Sequence, residues 1–285
     1  MCRFVAYKGN DILMADLLLN SKHSLVKQSY HSKERDEPLN GDGFGVGWYV
    51  EPHDPVPCFF TSVTPAWSNN NLHRLSEKIR SHCFFAHVRA ATSGLPVNEV
   101  NCHPFQYGRL LWMHNGMLSN FRKIKRKLRR SLSDERYDMV QGTTDSEHAF
   151  ALFLDFLGKN IDKPDIDVMK EAMVKTVVFI RDLASSEGCT EGTFLNFAVT
   201  DGENVIATRY VSGEGKEPLS LYFSCGSSFE LHKGDFRMKR DARGPSTIII
   251  SSEPLTKSRE DWMAVPVNHM VTISGTAKVE LVPIG

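Results

Sequence analysis

The sequence predicts an α+β protein of layered, largely antiparallel sheets. Two observations lead there. Strand-like runs gather at the front and back of the chain with helical runs between them. The strand–helix–strand crossovers that a doubly wound parallel sheet requires are missing. With 285 residues, 41% of them apolar, the chain is long enough for one or two domains around a substantial core.

Taken in order, residues 2–8, CRFVAYK, read as a first strand, and Asp11 as the cap of a short helix through Leu19. Residues 28–43 are polar and turn-rich and end in Asn40-Gly41-Asp42-Gly43. GFGVGWYV, 43–50, is a second strand whose glycines permit close backbone approach. Pro52, Pro55 and Pro57 mark a loop before a short strand at 58–62. Leu72, Leu75 and Ile79 share one helical face, placing a helix over Asn70–Arg80. Cys83–Arg89 is an apolar strand, and a long loop over 92–108 leads to a strand at 109–116, RLLWMHNG.

Ser119–Leu132 is an amphipathic helix. Phe121, Ile124, Leu128 and Leu132 form its apolar stripe; Arg122, Lys123, Lys125, Arg126, Lys127, Arg129 and Arg130 cover the other face. Thr144 or Asp145 caps the next helix, Ser146–Leu157, with Glu147 close to the capping-box position. A further helix runs from about Ile166 to Ser185. From Thr193 onward the chain turns to strands, at 194–200, 205–211, 219–225, 246–252, 269–275 and 277–284, with polar loops at 211–219 and 239–245.

Composition excludes several classes. Formal net charge is zero, so there is no global attraction to nucleic acid or an anionic membrane. No apolar run is long enough to span a bilayer, and the N-terminus lacks a basic region followed by an apolar core. Cysteines at 2, 58, 83, 102, 189 and 225 form neither a C-x-x-C pair nor a disulfide framework, which points to reduced thiols and the cytoplasm. The histidines at 31, 82, 87, 103, 114 and 148 have no zinc-type spacing, so neither a metal nor another cofactor is expected. The basic helix face is either solvated or a docking site for an acidic protein partner.

The chemistry starts at Met1-Cys2-Arg3. A small penultimate side chain favours loss of the initiator methionine, which would make Cys2 the N-terminal residue. Thiol and free α-amine would then sit on one residue. An α-amine titrates at about 7.7–8.0 in ordinary peptides and so can serve as a general base near neutrality. The plain alternative is a small buried hydrophobe in a first strand. Arg89, at the mouth of a buried strand and followed by small residues, can grip a carboxylate with two parallel hydrogen bonds. An ordinary salt bridge is the alternative there. Asn115-Gly116, at a strand end, can aim an amide and a backbone N–H at one oxygen, or form an ordinary Asn-Gly turn. Thr143-Thr144-Asp145-Ser146-Glu147 is a helix cap or supplies a carboxylate for an ammonium. Together these pieces suit a substrate with an amino-acid head and an acyl bond at its far end, such as glutamine or a γ-glutamyl compound.

MCRF at the start, NGDGFG at 40–45, HVRAAT at 87–92, NCHPF at 101–105, MHNG at 113–116 and TTDSE at 143–147 resemble the class II glutamine amidotransferases, which are N-terminal nucleophile hydrolases. Those motifs span roughly residues 1–200 in the family's order. TPAW at 64–67, the FRKIKRKL helix, DSEHAFALFLD at 145–155 and SSEPLT at 251–256 are most similar to its stand-alone members. These include the amidotransferase subunit of the DUG glutathione-degrading complex and the EgtC-like proteins. The resemblance implies a four-layer αββα sandwich with two antiparallel sheets, in a single type 2 amidotransferase domain over 2–285. It implies Cys2 as nucleophile, Asn115 and Gly116 as oxyanion hole, Arg89 for the substrate α-carboxylate and Asp145 for its α-amine. Thr92, His103, Asn40 and Asp42 would line or brace the pocket.

Ammonia-channelling relatives carry Trp and His where this chain has Ala90 and Ser93, and no synthase domain is expected after the last strands. The resemblance therefore implies hydrolysis of glutathione or a related γ-glutamyl peptide beside a separate peptidase-type subunit. The competing readings are a glutaminase that supplies ammonia to a partner synthase, and a catalytically silent interaction subunit.

Overall fold

Alternation along the central strand sorts the side chains into layers. In β1 (Arg3–Leu13), Phe4 and Ala6 join one hydrophobic cluster while Val5 and Tyr7 join another, as the two-residue period of a strand requires. The computed structural model describes residues 2–34, 39–50, 54–91, 97–159, 161–242, 244–275 and 278–285.

The first sheet has seven strands, in the order β14 (Met263–Ala264), β10 (Tyr222–Gly226), β13 (Thr247–Ser251), β1, β4 (Arg80–Val88), β2 (Phe44–Val50), β3 (Asp54–Ser62). The second runs β16 (Val279–Pro283), β15 (His269–Ile273), β8 (Val205–Arg209), β7 (Thr193–Thr200), β6 (Leu110–Met117), β5 (Phe105–Tyr107), with β9 (Val211–Ser212) also paired to β7. Neighbouring strands are antiparallel throughout the registered pairs.

The inner faces of the sheets meet through Phe4, Phe85, Leu111, Met113, Ala198 and Ile250. Outside the second sheet lie α3 (Phe121–Ser131), α5 (Asp145–Leu157) and α6 (Ile166–Ser186). Their apolar faces close over Trp112, which lies 5.5 Å from Phe150, 5.3 Å from Phe153 and 4.6 Å from Phe197, ring centre to ring centre. Outside the first sheet, Val5, Tyr7, Phe84 and Ala86 are covered by α1 (Leu25–Tyr30), α2 (Asn70–Ser76) and a hairpin of β11 (Ser228–His232) and β12 (Asp235–Lys239). The result is the four-layer αββα sandwich of N-terminal nucleophile hydrolase type.

Several local expectations need correction. Asp11 caps no helix: β1 continues to Leu13 past an irregularity between Lys8 and Ile12, and the next turn, Asp16–Asn20, is π-helical. The helix at Asn70 stops at Ser76, because Ile79 is drawn against Met14 and Arg80 opens β4. Pro55 and Pro57 lie in β3, an edge strand, where a missing N–H costs no ladder bond; Pro52 lies outside the described residues. The helices α1 and α4 (Asp134–Met139) and the β11–β12 hairpin carry too few periodic residues to stand out in the sequence.

Trp112 is fully buried among three aromatic rings. Trp112→Ala should therefore cost about 3–5 kcal/mol in urea unfolding. A loss under about 1 kcal/mol would contradict this packing.

Candidate active site

Cys2 precedes β1 in phase with Phe4 and Ala6, so strand alternation directs it between the sheets, while Arg3 points the other way. Cys2 is half-buried and its thiol is free. Its Sγ accepts the Ala90 N–H at 3.5 Å and lies 3.7 Å from the Ala90 carbonyl oxygen. The pairing of Arg3 with Val88 across β1 and β4 brings these residues together.

The Asn40–Asp42 loop braces the end of β4. Arg89 N–H donates to the Gly43 carbonyl at 2.8 Å, and Asp42 N–H donates to the Arg89 carbonyl at 3.0 Å. The Asp42 carboxylate accepts the Ala91 N–H at 2.8 Å. Asn40 is anchored on α1 through the Ser29 carbonyl at 2.6 Å. Arg89 is 3% exposed, and its Nη1 reaches the Asp42 carbonyl at 3.5 Å. Among the described residues no ion pair to this guanidinium is seen. A buried cation so placed favours an incoming carboxylate. Near it, burial pushes the Cys102 thiol up to about 11, although the positive charge of Arg89 pulls the other way, which disfavours its thiolate.

On β6, Asn115 shares the inward face with Leu111 and Met113 and is 1% exposed. Its Oδ1 has no hydrogen-bond partner among the described residues. Gly116 follows, where a side chain would overlap the Phe194 carbonyl and the His114 ring, so glycine alone fits. Asn115 opens onto a cleft of about 690 Å³ lined also by Arg3, Lys33, Glu34, Arg209 and Tyr222.

Asp145 opens α5, but Thr144 is the cap: its Oγ1 accepts the Glu147 N–H at 3.3 Å. The Asp145 carboxylate accepts the Leu118 N–H at 2.8 Å and the Ser146 N–H at 2.9 Å, tying the end of β6 to the helix start. Oδ1 also lies 3.3 Å from the Ser146 hydroxyl, whereas Oδ2 keeps a further lone pair for a ligand. Glu147 accepts Gln141 and Gly142 N–H groups at 2.8 and 2.7 Å, shaping the turn before the helix.

Behind these groups stand buried imidazoles. His87 Nε2 donates to the His114 carbonyl at 3.1 Å, and its ring lies 4.2 Å from that of His103. His103 also packs against Phe105, ring centres 4.6 Å apart and planes inclined by 60°, and has no hydrogen bond to either ring nitrogen among the described residues. His114 Nε2 donates to the Phe194 carbonyl at 3.0 Å, which leaves Nδ1 to accept from Ser146 Oγ at 2.9 Å. Burial lowers the pKa of all three, that of His87 to about 3. His103 is thus a buried, neutral ring beside His87.

Thr92 and Ser93 lie outside the described residues, as does Met1. The other candidate residues converge on the end of the sandwich where β1, β4, β6 and α5 meet. Sequence reasoning missed three contacts. Asn101 holds Thr143, accepting its N–H at 2.9 Å and donating to its hydroxyl at 3.2 Å, which joins NCHPF to TTDSE. The contact of the His87 and His103 rings and the cleft walls Lys33, Glu34, Arg209 and Tyr222 were also unforeseen. Membership of the same motif set was the only signal for the first. Among the described residues, no cluster of His, Cys, Asp and Glu is gathered as a metal site, and no helix is long and apolar enough to cross a membrane.

The imidazoles make stability pH-dependent. An unfolded histidine protonates near 6.5 and His87 only near 3, so the unfolded chain binds more protons between those values. Folding stability should fall as pH drops below about 6.5, before carboxylates contribute. Urea midpoints between pH 7.5 and 5 measure this; a flat profile would contradict neutral buried rings.

The family model described as glutamine amidotransferases class-II matches residues 20–282. The probable glutamine amidotransferase DUG3 of Saccharomyces cerevisiae is 47% identical over 292 residues, covering 96% of this chain and 82% of that protein. The gamma-glutamyl-hercynylcysteine sulfoxide hydrolase of Mycobacterium tuberculosis is 34% identical over 119 residues, 41% of this chain and 50% of that one. Among solved structures, a glutamine aminotransferase class-II domain protein from Silicibacter pomeroyi aligns over the whole of both chains with a TM-score of 0.67 at 24% identity. The glutamine phosphoribosylpyrophosphate amidotransferase of B. subtilis aligns over 49% of its length with a TM-score of 0.61 at 14% identity, a likeness of fold. The chain therefore belongs to the class II glutamine amidotransferases and is an enzyme of that γ-glutamyl amide-hydrolysing class.

Proposed function

We propose that this enzyme hydrolyses the γ-glutamyl bond of glutathione or a closely related γ-glutamyl peptide through a thioester on Cys2. The observation that carries this choice is the cleft of about 690 Å³ opening from Asn115, far larger than departing ammonia requires. The wall carries Lys33 and Arg209 alongside Glu34 and Glu217, and the exposed Lys33 ammonium suits a leaving group that ends in a carboxylate. The mycobacterial relative, named for a γ-glutamyl substrate other than glutamine, supports the same direction.

In this mechanism Met1 is removed and the Cys2 α-amine takes the thiol proton. The thiolate attacks the γ-carbonyl carbon, and Asn115 with the Gly116 N–H stabilises the oxyanion. Arg89 pairs with the substrate α-carboxylate and Asp145 with its α-ammonium; Asn40, Asp42 and His103 brace that head-group site, and Thr92 completes it. The Cys2 ammonium returns its proton to the departing nitrogen as the C–N bond breaks, releasing cysteinylglycine. Water then attacks the thioester, giving glutamate and the free thiol. No cofactor takes part.

The whole single domain over 2–285 works, on this reading, in the cytoplasm beside a separate peptidase-type subunit. Six unpaired cysteines suit a reducing compartment. Lys123 and Lys127 already hold Glu187, which leaves the exposed Arg122, Arg126 and Arg130 to meet an acidic partner. Glutaminase activity feeding a synthase is the competing outcome.

With the partner present, kcat/KM for glutathione should exceed that for glutamine by at least about tenfold; the reverse preference would overturn the choice. Asn115→Ala should lower kcat by about 10²–10³ with little change in KM, since its amide matters as the oxyanion develops. A purely raised KM would remove Asn115 from that role. Lys33→Ala should raise KM for glutathione by about threefold and leave glutamine unaffected, as a partly screened charge contact does.

A further inference from the structure

Directly behind Cys2 lies a buried charge cluster that the mechanism above leaves unused. Glu253 follows β13, and the Ser252 N–H and hydroxyl bond the Phe4 carbonyl and N–H, both at 3.0 Å, so Glu253 is fixed beside the start of β1. Glu253 and Arg3 are each 1% exposed. Oε1 accepts Arg3 Nε at 2.7 Å and the Ser32 hydroxyl at 2.6 Å. Oε2 accepts His23 Nε2 at 2.7 Å and the Lys33 N–H at 3.0 Å. Arg3 in turn donates Nη2 to Ser32 Oγ at 2.5 Å and Nη1 to the Cys2 carbonyl at 2.9 Å.

A buried ion pair is a poor source of stability, since apolar residues of similar volume fill such a site at least as well. Its orientation is the informative part. The guanidinium is held on two edges by Glu253 and Ser32, and an Nη1 hydrogen grips the peptide group next to the Cα that bears thiol and amine. The same carboxylate holds the backbone of Lys33, and at 3.4 Å that of Glu34, whose side chain accepts the Tyr222 hydroxyl at 3.0 Å in the cleft wall. Burial works to raise the Glu253 pKa, but His23, Arg3, Ser32 and Lys33 hold it well below its ordinary 4.5, so the anion persists across the neutral range.

We propose that Glu253 is a positioning residue for the reaction: through Arg3 it fixes the backbone of Cys2, and through Lys33 and Glu34 it fixes the adjoining cleft wall. This rests on the reading that Cys2 is the nucleophile. Glu253→Gln keeps the shape but leaves Arg3 without a counter-charge. Arg3→Lys keeps the charge balance, and hence the fold, but one ammonium cannot hold Glu253, Ser32 and the Cys2 carbonyl together. Both variants should lower kcat by at least about tenfold on glutathione and glutamine alike, with KM for glutamine within about twofold, because misplacing a reacting atom by a fraction of an ångström acts on the chemical step. Alkylation of Cys2 by iodoacetamide, read by peptide mass spectrometry, should stay within about twofold of wild type, since it needs the thiolate and not its alignment. If Glu253→Gln does not fold, Arg3→Lys decides. Folded variants with unchanged kcat, or a loss confined to KM or matched by lost alkylation, would overturn the proposal. Cys2→Ala run in parallel separates the failures: activity without Cys2 sinks the nucleophile reading, whereas an inactive Cys2→Ala beside fully active Arg3→Lys sinks only the role of Glu253.

Discussion

Everything at the site depends on the phase of β1. Pairing with β4 on one side and β13 on the other fixes its register, with Arg3 opposite Val88 and Val5 opposite Ser251. Since side chains alternate along a strand, that register sends residue 2 into the space between the sheets and residue 3 into the helical layer. A slip of one residue would exchange the two, burying the thiol under α1 and driving a guanidinium into the inter-sheet core. The apolar residues Phe4 and Ala6 inside, and Val5 and Tyr7 outside, oppose that slip. The chain thus uses ordinary core packing to aim its first side chains.

Opposite β1, the strand β6 obeys the same rule. Leu111 and Met113 fill the space between the sheets and Asn115 carries that face on into the cleft, while Trp112 and His114 turn to the helices. His114 meets Ser146 there, and Asp145 reaches back to Leu118, so the helix start is tied to the strand end. Keeping these parts in place costs buried polar groups, and the cost is contained by neutrality. Three imidazoles stay uncharged in the buried interior, and two of them donate to backbone carbonyls. Arg89 is a buried cation with no ion pair seen among the described residues, whereas the buried Arg3 and Arg136 are paired with Glu253 and Glu135.

Much of this was legible in the sequence, and the reasons are local. The apolar stripe of Phe121, Ile124 and Leu128 identifies α3, and the strand–helix–strand order identifies layered antiparallel sheets. Cys2, Arg89, Asn115 and Asp145 sit in compact motifs, so residue type and position were enough to bring them forward. What could not be read is non-local. Nothing around Glu253 reveals that its partner is Arg3, 250 positions away, or that both meet Ser32. Nor does spacing say that Asn101 clasps Thr143. Helix ends were misjudged where tertiary pairing overrode propensity: Arg80 fits a helical turn by periodicity, yet it pairs with Leu13 in the sheet. Asp11 has the chemistry of a cap, but β1 claims it because its neighbours continue the ladder with β4.

In the proposed mechanism an N-terminal cysteine, freed of Met1, forms the covalent bond to the glutamyl group. Its most direct test is to treat active enzyme with a glutamine-mimicking diazo-ketone, then determine intact mass and map the labelled peptide. The expected result is one label per chain, on a peptide that begins at Cys2 with a free α-amine, and loss of activity in proportion to labelling. A fully active chain that retains Met1, or inactivation by label at Cys58, Cys83, Cys102, Cys189 or Cys225 with Cys2 untouched, would contradict it.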